Sequence, residues 1–432
     1  MDQIEDSDSF EQWVSDHVLD QFISDHARDQ RTDELSEESD NEEERHEPIH
    51  LAPTRDQHLV KAALQNLIHK IDEYIPESDV DQLARKVSPD LSKKFLQLQK
   101  HLLPPLQRRF WRLCYLVLGP DHFQKNEPPE FQAGLQVLKE IENILDQIKL
   151  ATDSLWLPSS PASDRPHSRS DVNHHRCGLA ESKLIDTMEK SRQLLGKYNG
   201  LFLISEMRMI NKLAARIAWR LLIRDTRRVS DFLDTVINWF ELSDLGAIQD
   251  QWQSMAEEVE DMLQLAVELP IKHPGTHCKE PLRDSIPLIK LSRIFFKKLS
   301  RAIPSELHPI YQMSQAELSS FIDSTLFFPS VLESFVDSLQ DPPNPGDDGV
   351  PTFDLEDGFI GTMRILDDYA YPQRSERAIN HEFHEWYMSW KQHFFLAVDL
   401  FQTTYIRVYS DRLLARLERT RGTTVDEDGE VE

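Results

Sequence analysis

The sequence is poor in glycine, with 13 glycines among 432 residues, well below the usual ~7%. Folds that bind a nucleotide phosphate need glycines in the tight turn between a strand and a helix. The sequence contains neither G-x-G-x-x-G nor G-x-x-x-x-G-K-[ST], and it has no G-x-S-x-G nucleophile elbow. These absences argue against Rossmann-type enzymes, P-loop enzymes and α/β-hydrolases.

Cysteine and long apolar runs are also scarce. The three cysteines, Cys114, Cys177 and Cys278, are too few and too scattered for a disulfide framework, so we expect free thiols in a reducing compartment. The first residues, MDQIEDSDSF, are acidic where a secretory signal is basic and then apolar. No apolar run approaches the ~20 residues of a membrane span. We therefore expect no membrane span, and residence in the cytoplasm, the nucleus or both.

Positive charge is in deficit, and the formal net charge is -27. Such a chain is not expected to bind nucleic acid through bulk charge, because the phosphate backbone attracts basic surfaces. The imbalance is concentrated at one end: residues 1–50 contain 18 acids and 3 arginines, a net charge of -15. Residues 28–52 carry few large apolar groups, which is typical of a disordered segment.

Apolar residues recur at helical spacing over most of the remaining chain, and no stretch shows convincing period-2 alternation. The predicted fold class is all-α, with two antiparallel helical bundles and a disordered acidic N-terminal arm. Pro104-Pro105 is predicted to end a helix, and short β-segments stay open as an alternative near 350–366. The predicted divisions are an arm over 1–53 with an amphipathic helix over 10–27, a bundle over 54–156, a disordered linker over 157–176, a bundle over 177–420 and an acidic tail over 421–432.

The sharpest local feature is a basic ladder, six cations at intervals of four residues. Steps of four drift by only ~40° on a helix, so the pattern predicts a slowly winding cationic stripe. One interpretation is a solvated face that pairs with acidic neighbouring helices. Another is a docking strip for an acidic or phosphorylated partner, and a third is that the acidic arm lies on the strip within the same chain. The ladder consists of Arg208, Lys212, Arg216, Arg220, Arg224 and Arg228.

The amphipathic segment 10–27 has the apolar spacing of a helix that docks in a groove on a partner, and its acids would steer it towards a basic surface. The alternative is that it folds back on its own bundle. Its expected anchors are Phe10, Trp13, Phe22 and Ile23.

Two groupings of residues contain metal-binding or catalytic side chains, but neither has the required spacing. The linker contains His167, His174, His175 and Cys177, but a structural zinc site needs four tightly spaced ligands, so we predict no metal and no cofactor. The segment HEFHE at 381–385 places its histidines at i and i+3, whereas the metalloprotease motif needs i and i+4. No catalytic residues are therefore predicted. Phosphorylation is predicted at Ser39, which precedes acids, and at Ser168, three residues after an arginine.

Two segments of the C-terminal half suggest a family. They are IPLIKLSRIFFKKL from Ile286 and FFPSVLESFVDSLQDPP over 327–343. This order of a proline-led helix, a lysine pair and a helix with a Pro-Pro stop resembles the Grap2 and cyclin-D-interacting protein family, and also uncharacterised fungal helical proteins. The resemblance implies an all-α protein of two packed bundles that binds cyclins or transcription regulators in the cytoplasm and nucleus.

The leading functional hypothesis is a non-enzymatic helical module that binds protein partners, in cell-cycle or transcription control. Two alternatives stay open. One is a structural adaptor in trafficking or the cytoskeleton, and the other is an enzyme whose site is assembled from scattered residues.

Overall fold

The protein is represented by a computed structural model, which describes residues 55–75, 85–118, 130–157, 172–206, 212–272, 279–301, 313–340, 352–370 and 381–423. Helices make up nearly all of these ranges, so the predicted all-α class is confirmed. None of the helices within them is long and apolar enough to cross a membrane.

The first helices carry an apolar residue every three or four positions, as an amphipathic helix requires. In α1 the buried residues are Val60, Leu64, Leu67 and Ile71. The helices and strands of the first half are α1 (Arg55–Tyr74), β1 (Lys86–Val87), α2 (Leu91–Gln97), a π-helical turn (Leu98–Leu102), α3 (Leu103–Leu118), α4 (Phe131–Ser154), β2 (Trp156–Leu157), α5 (Val172–Glu206) and α6 (Lys212–Trp239).

In the described residues of the second half, the regular elements are all helices. Ser314 and Glu317 form a capping box at the start of α9, in which each side chain bonds the other residue's backbone N–H. The helices are α7 (Asp244–Lys272), α8 (Lys279–Ser300), α9 (Gln315–Leu326), α10 (Phe328–Gln340), α11 (Thr352–Ala370) and α12 (His381–Thr423).

The chain divides into two compact units, each with its own core. Unit 1 contains α1 to α4, α5 from Glu181 onward, and α6 as far as Phe240. Unit 2 contains β1, β2, the start of α5 up to Ala180, and α7 to α12. The sequence prediction grouped residues 177–420 as one bundle. The structure differs because α5 and α6 contact α1 and α3, for example through Gln107 and Trp111, which both donate to Ser230.

In unit 1, α3 runs antiparallel to α4, and α5 runs antiparallel to α6. Residues of α3 and α4 pair in opposite order, because Arg109 contacts Glu140 while the carbonyl of Leu116 accepts from the N–H of Glu130. The same order holds for α5 and α6, where Lys183 lies over the ring of Trp239 and Lys197 pairs with Asp225. This up-and-down arrangement is what the predicted antiparallel bundle requires.

Unit 2 is organised around aromatic side chains. Phe295 of α8, Phe359 of α11, and Trp390 and Phe394 of α12 are all buried. The ring centroids of Phe295 and Trp390 lie 4.6 Å apart, as do those of Phe359 and Phe394. Aromatic contacts of this kind stabilise the core beyond the contribution of the apolar area that the rings bury. The two short strands of this unit pair antiparallel, Lys86 with Leu157 and Val87 with Trp156.

Two local predictions and one open alternative, the β-segments near 350–366, need correction. Helix formation continues through Pro104-Pro105, since the π-helical turn directly before them widens the backbone where proline donates no N–H. Residues 352–366 are helical, not β, because Leu355, Phe359 and Leu366 recur at helical spacing and are buried. The predicted linker 157–176 ends earlier than expected, since α5 begins at Val172.

Candidate functional site

The outer face of α6 is the region where the structure concentrates exposed cations. Arg220, Arg224, Arg227 and Arg228 are all exposed, and we call these four residues the arginine face. At 100° per residue, Arg220, Arg224 and Arg227 lie within about 60° of one another, with Arg228 beside them. One turn further on, the same side of the helix carries the exposed acids Asp231 and Asp234, which end the basic stretch.

One nearly buried carboxylate, that of Asp225, lies at the edge of the arginine face and is 7% exposed. Lys197 of α5 places its Nζ 2.6 Å from Oδ2 of Asp225. The Nη1 of Arg228 lies 3.5 Å from Oδ1, and the Nε of Arg224 lies 3.9 Å from the same oxygen. The three cations keep about half or more of their side-chain surface exposed. The carboxylate of Asp225 therefore lies within ion-pair distance of three cations whose side chains remain exposed to solvent.

Buried polar groups lie behind Asp225 in unit 1. The Tyr198 hydroxyl is 3.4 Å from that of Thr226, and both contact the Cys114 thiol. Burial raises the pKa of Cys114 to about 11, and burial also raises the pKa of Tyr198 well above its usual value. Both groups are thus neutral at physiological pH. A protonated, enclosed thiol is a poor nucleophile, so this cluster reads as part of the core.

The predicted site residues fall into three groups. Arg220, Arg224 and Arg228 lie together on the exposed face of α6. Lys212 and Arg216 belong to the first turns of the same helix, where the structure describes the backbone. The others lie outside the described residues: Phe10, Trp13, Phe22, Ile23, Ser39, Ser168 and Arg208.

Arg227 belongs to the arginine face but falls outside the predicted ladder. The ladder followed steps of four residues, whereas a helix face continues at i+7 as well as i+4. Arg227 stands seven residues after Arg220, so a search for both spacings would have found it.

Two histidines of the predicted linker, His174 and His175, pack within unit 2, whereas His167 lies outside the described residues. His174 packs against Trp156, with ring centroids 5.0 Å apart, and Cys177 is fully buried. The Nε2 of His175 lies 3.1 Å from the Ser319 hydroxyl and 3.6 Å from the Asp323 carboxylate. A catalytic triad needs the serine and the acid on opposite ring nitrogens, and here one nitrogen faces both.

Across the described ranges, no group of three or more histidine, cysteine, aspartate or glutamate side chains has an arrangement that could hold a metal ion. The arginine face is thus the candidate site that the described geometry favours.

Comparison with known families gives two matches, each to a part of the chain. Residues 92–241 match the family model Domain of unknown function (DUF8723), and residues 243–403 match Domain of unknown function (DUF8721). No curated protein and no solved structure matches the chain. The two matched stretches meet at the position where the compact units divide, after Phe240. The arginine face lies in the first stretch, and membership of the Grap2 and cyclin-D-interacting protein family stays a prediction.

Proposed function

We propose that this chain is a non-enzymatic, helical protein-interaction module, and that its arginine face docks acidic polypeptide segments. The observation that supports the proposal is the group of four exposed arginines on one side of α6, two of which, Arg224 and Arg228, lie near the carboxylate of Asp225. Exposed guanidinium groups attract carboxylates and steer their approach. The neutral cluster behind the face offers no activated nucleophile, which favours binding over catalysis.

Charge contrast within the chain strengthens the argument. Residues 208–228 contain seven cations and one acid, a net charge of +6, in a chain whose net charge is -27. A local field of opposite sign to the rest of the molecule selects acidic ligands at short range, within about one Debye length of 8–10 Å. The surrounding negative charge would repel acidic ligands elsewhere on the surface, so docking is confined to this face.

The occupant that we propose is the acidic segment 33–44 of the same chain. It contains eight acids and neither lysine nor arginine. An acidic partner protein would compete with it for the same arginines, so the arm would set the threshold for partner binding. The resemblance of residues 286–343 makes cyclins and transcription regulators the first partners to test, in the cytoplasm and nucleus.

A labelled peptide of residues 30–47 tests this surface, measured by fluorescence anisotropy against the full-length protein. Replacing Arg220, Arg224 and Arg227 by glutamate is expected to weaken binding at least tenfold. Each exposed ion pair contributes about 0.2–1 kcal/mol, and a tenfold change in Kd corresponds to about 1.4 kcal/mol. Raising the salt from 50 to 200 mM is expected to weaken wild-type binding as well.

The matched control replaces Arg112, Lys139 and Lys190 by glutamate. These three residues are exposed on α3, α4 and α5 of the same unit, so the net charge changes equally while the arginine face stays intact. A change below twofold is expected in the control. Equal weakening by the two triple variants would show that bulk charge, and not this face, governs binding.

A further inference from the structure

We propose that Arg224, Arg227 and Arg228, with Lys197 beside them, form a recognition site for a phosphorylated serine within an acidic segment. The inference rests on the proposed docking function and names the ligand that the C-terminal end of the arginine face selects. It begins from spacing: the three arginines stand at i, i+3 and i+4, which places them on one turn of α6.

Asp225 orients two of these arginines. Its carboxylate lies beneath the face and contacts Arg224 through Nε, the inner nitrogen of the guanidinium. Arg228 contacts the same oxygen through Nη1. Guanidinium groups fixed from below lose less conformational freedom when a ligand binds, because part of that ordering is already present.

The charge balance favours a phosphate over a carboxylate. Lys197, Arg224, Arg227 and Arg228 supply four positive charges, while Asp225 and the exposed Asp231, three residues after Arg228, supply two negative charges, which leaves a local excess of +2. A phosphoserine brings about -1.5 to -2 charges and three acceptor oxygens, whereas a carboxylate brings only one charge. The planar fork of arginine also matches two phosphate oxygens at once.

The chain itself contains a ligand of this chemistry. Ser39, predicted as a phosphorylation site, lies inside the acidic segment 33–44 and is followed by Asp40 and Glu42. Phosphorylated Ser39 would meet Arg224, Arg227 and Arg228, while the neighbouring carboxylates would meet Arg220. Modification of Ser39 would then tighten the docking of the arm and raise the threshold for competing partners.

The test compares three versions of the 30–47 peptide: unmodified, phosphorylated at Ser39, and carrying Ser39→Glu. Each is titrated into the full-length protein. We expect the phosphopeptide to bind at least tenfold more tightly than the unmodified peptide, and the Ser39→Glu peptide to gain less than threefold. In the Arg227→Lys protein, which keeps the charge but loses the fork, the ratio of phosphopeptide affinity to unmodified-peptide affinity is expected to fall at least threefold.

Each alternative outcome is distinct. Equal affinity for the phosphopeptide and the Ser39→Glu peptide would overturn phosphate recognition and leave the acidic docking surface standing. Absence of binding by all three peptides would overturn the docking function as well. Inorganic phosphate at the same concentration as the phosphopeptide is not expected to displace the phosphopeptide from the protein. Displacement by it would assign the site to free phosphate and overturn the peptide assignment.

Discussion

The ammonium group of Lys197 on α5 lies 2.6 Å from the carboxylate of Asp225 on α6, and this carboxylate is almost entirely enclosed. The contact joins two antiparallel helices of unit 1. The same carboxylate faces Arg224 and Arg228 of its own helix. Asp225 thus links the packing of α5 on α6 to the orientation of the arginine face.

Replacing Asp225 by asparagine separates these two roles. The amide keeps the volume but loses the charge, so the pair with Lys197 weakens, and we expect a loss of about 1 kcal/mol of unfolding free energy. That corresponds to a fall in Tm of about 2–4 °C. Peptide 30–47 should bind at least as tightly as to wild type, because the face gains one net positive charge.

The control is Asp231→Asn, on the exposed face of the same helix, which should leave Tm within about 1 °C. Thermal unfolding followed by circular dichroism measures Tm, and fluorescence anisotropy measures the affinity for peptide 30–47. A fall in peptide affinity in Asp225→Asn would mean that the orientation of Arg224 and Arg228 outweighs the added charge.

Alkaline pH provides a test of the buried thiol. Burial raises the pKa of Cys114 to about 11, whereas an unfolded cysteine ionises near 8.5. The unfolded state therefore releases its proton first as pH rises, and the stabilisation present below about pH 8.5 declines towards pH 11. Between pH 8 and 10 we expect a loss of about 1–2 kcal/mol in wild type beyond that of Cys114→Ser, which has no titrating group there.

Urea titrations at pH 8 and pH 10 measure this difference for each protein. Serine retains a hydroxyl near Tyr198 and Thr226, so the fold should persist in the variant. Parallel pH dependences for the two proteins would contradict an enclosed, protonated thiol at position 114.

The interface between α11 and α12 contains one unfavourable carboxylate. Burial raises the pKa of Glu356, and the neighbouring Asp399 and Asp357 raise it further. A raised carboxyl pKa contributes stability that is present at low pH and lost as pH rises through the folded-state value. Glu356→Gln, whose amide oxygen can still accept from Gln402, should therefore increase Tm at pH 7.5 by about 1–2 °C and leave it unchanged at pH 3.5.

Asp367 in the same interface is the matched contrast. Its carboxylate accepts hydrogen bonds from Tyr387 and from Lys391. Asp367→Asn removes the charge that Lys391 pairs with and should destabilise unit 2 by about 1–2 kcal/mol. Melting curves of both variants at pH 7.5 should thus shift in opposite directions. A shift in the same direction would show that the two carboxylates have similar environments.

Local periodicity was sufficient to predict much of this fold. The apolar spacing of Val60, Leu64 and Ile71 marks α1 in the sequence, and the structure buries those residues. The division between the units was not predictable in the same way. It depends on contacts between distant residues, such as Arg192 with Asp72 and Gln107 with Ser230, and periodicity describes only one helix at a time.

The candidate site shows the same limit. The spacing of Arg220, Arg224 and Arg228 predicts a cationic stripe, but not the enclosed carboxylate of Asp225 beneath it. Residue Asp225 follows Arg224 directly, and sequence alone gives it no distinction from an exposed acid. Only its packing against α5, through Lys197 and the neighbouring Tyr198, identifies it.

Glycines inside the helices offer a final test, because their surroundings differ. A Cβ added at Gly196 of α5 would meet no atom within 4 Å, so alanine adds helix propensity without strain. Gly196→Ala should stabilise the protein by about 0.5–1 kcal/mol. At Gly246 of α7 the new Cβ would lie 3.2 Å from the Ser243 hydroxyl and 3.3 Å from Leu242. That hydroxyl accepts a hydrogen bond from the Gly246 N–H. A displaced Ser243 side chain would weaken this hydrogen bond at the start of the helix.

Gly246→Ala should therefore yield no gain in unfolding free energy, or a loss, although propensity alone favours alanine equally at both positions. Urea unfolding of the two variants and of wild type measures the change in unfolding free energy for each substitution. Equal stabilisation by both substitutions would mean that Ser243 and Leu242 move aside by a few tenths of an ångström without cost, and that the first turn of α7 accommodates a methyl group at this position.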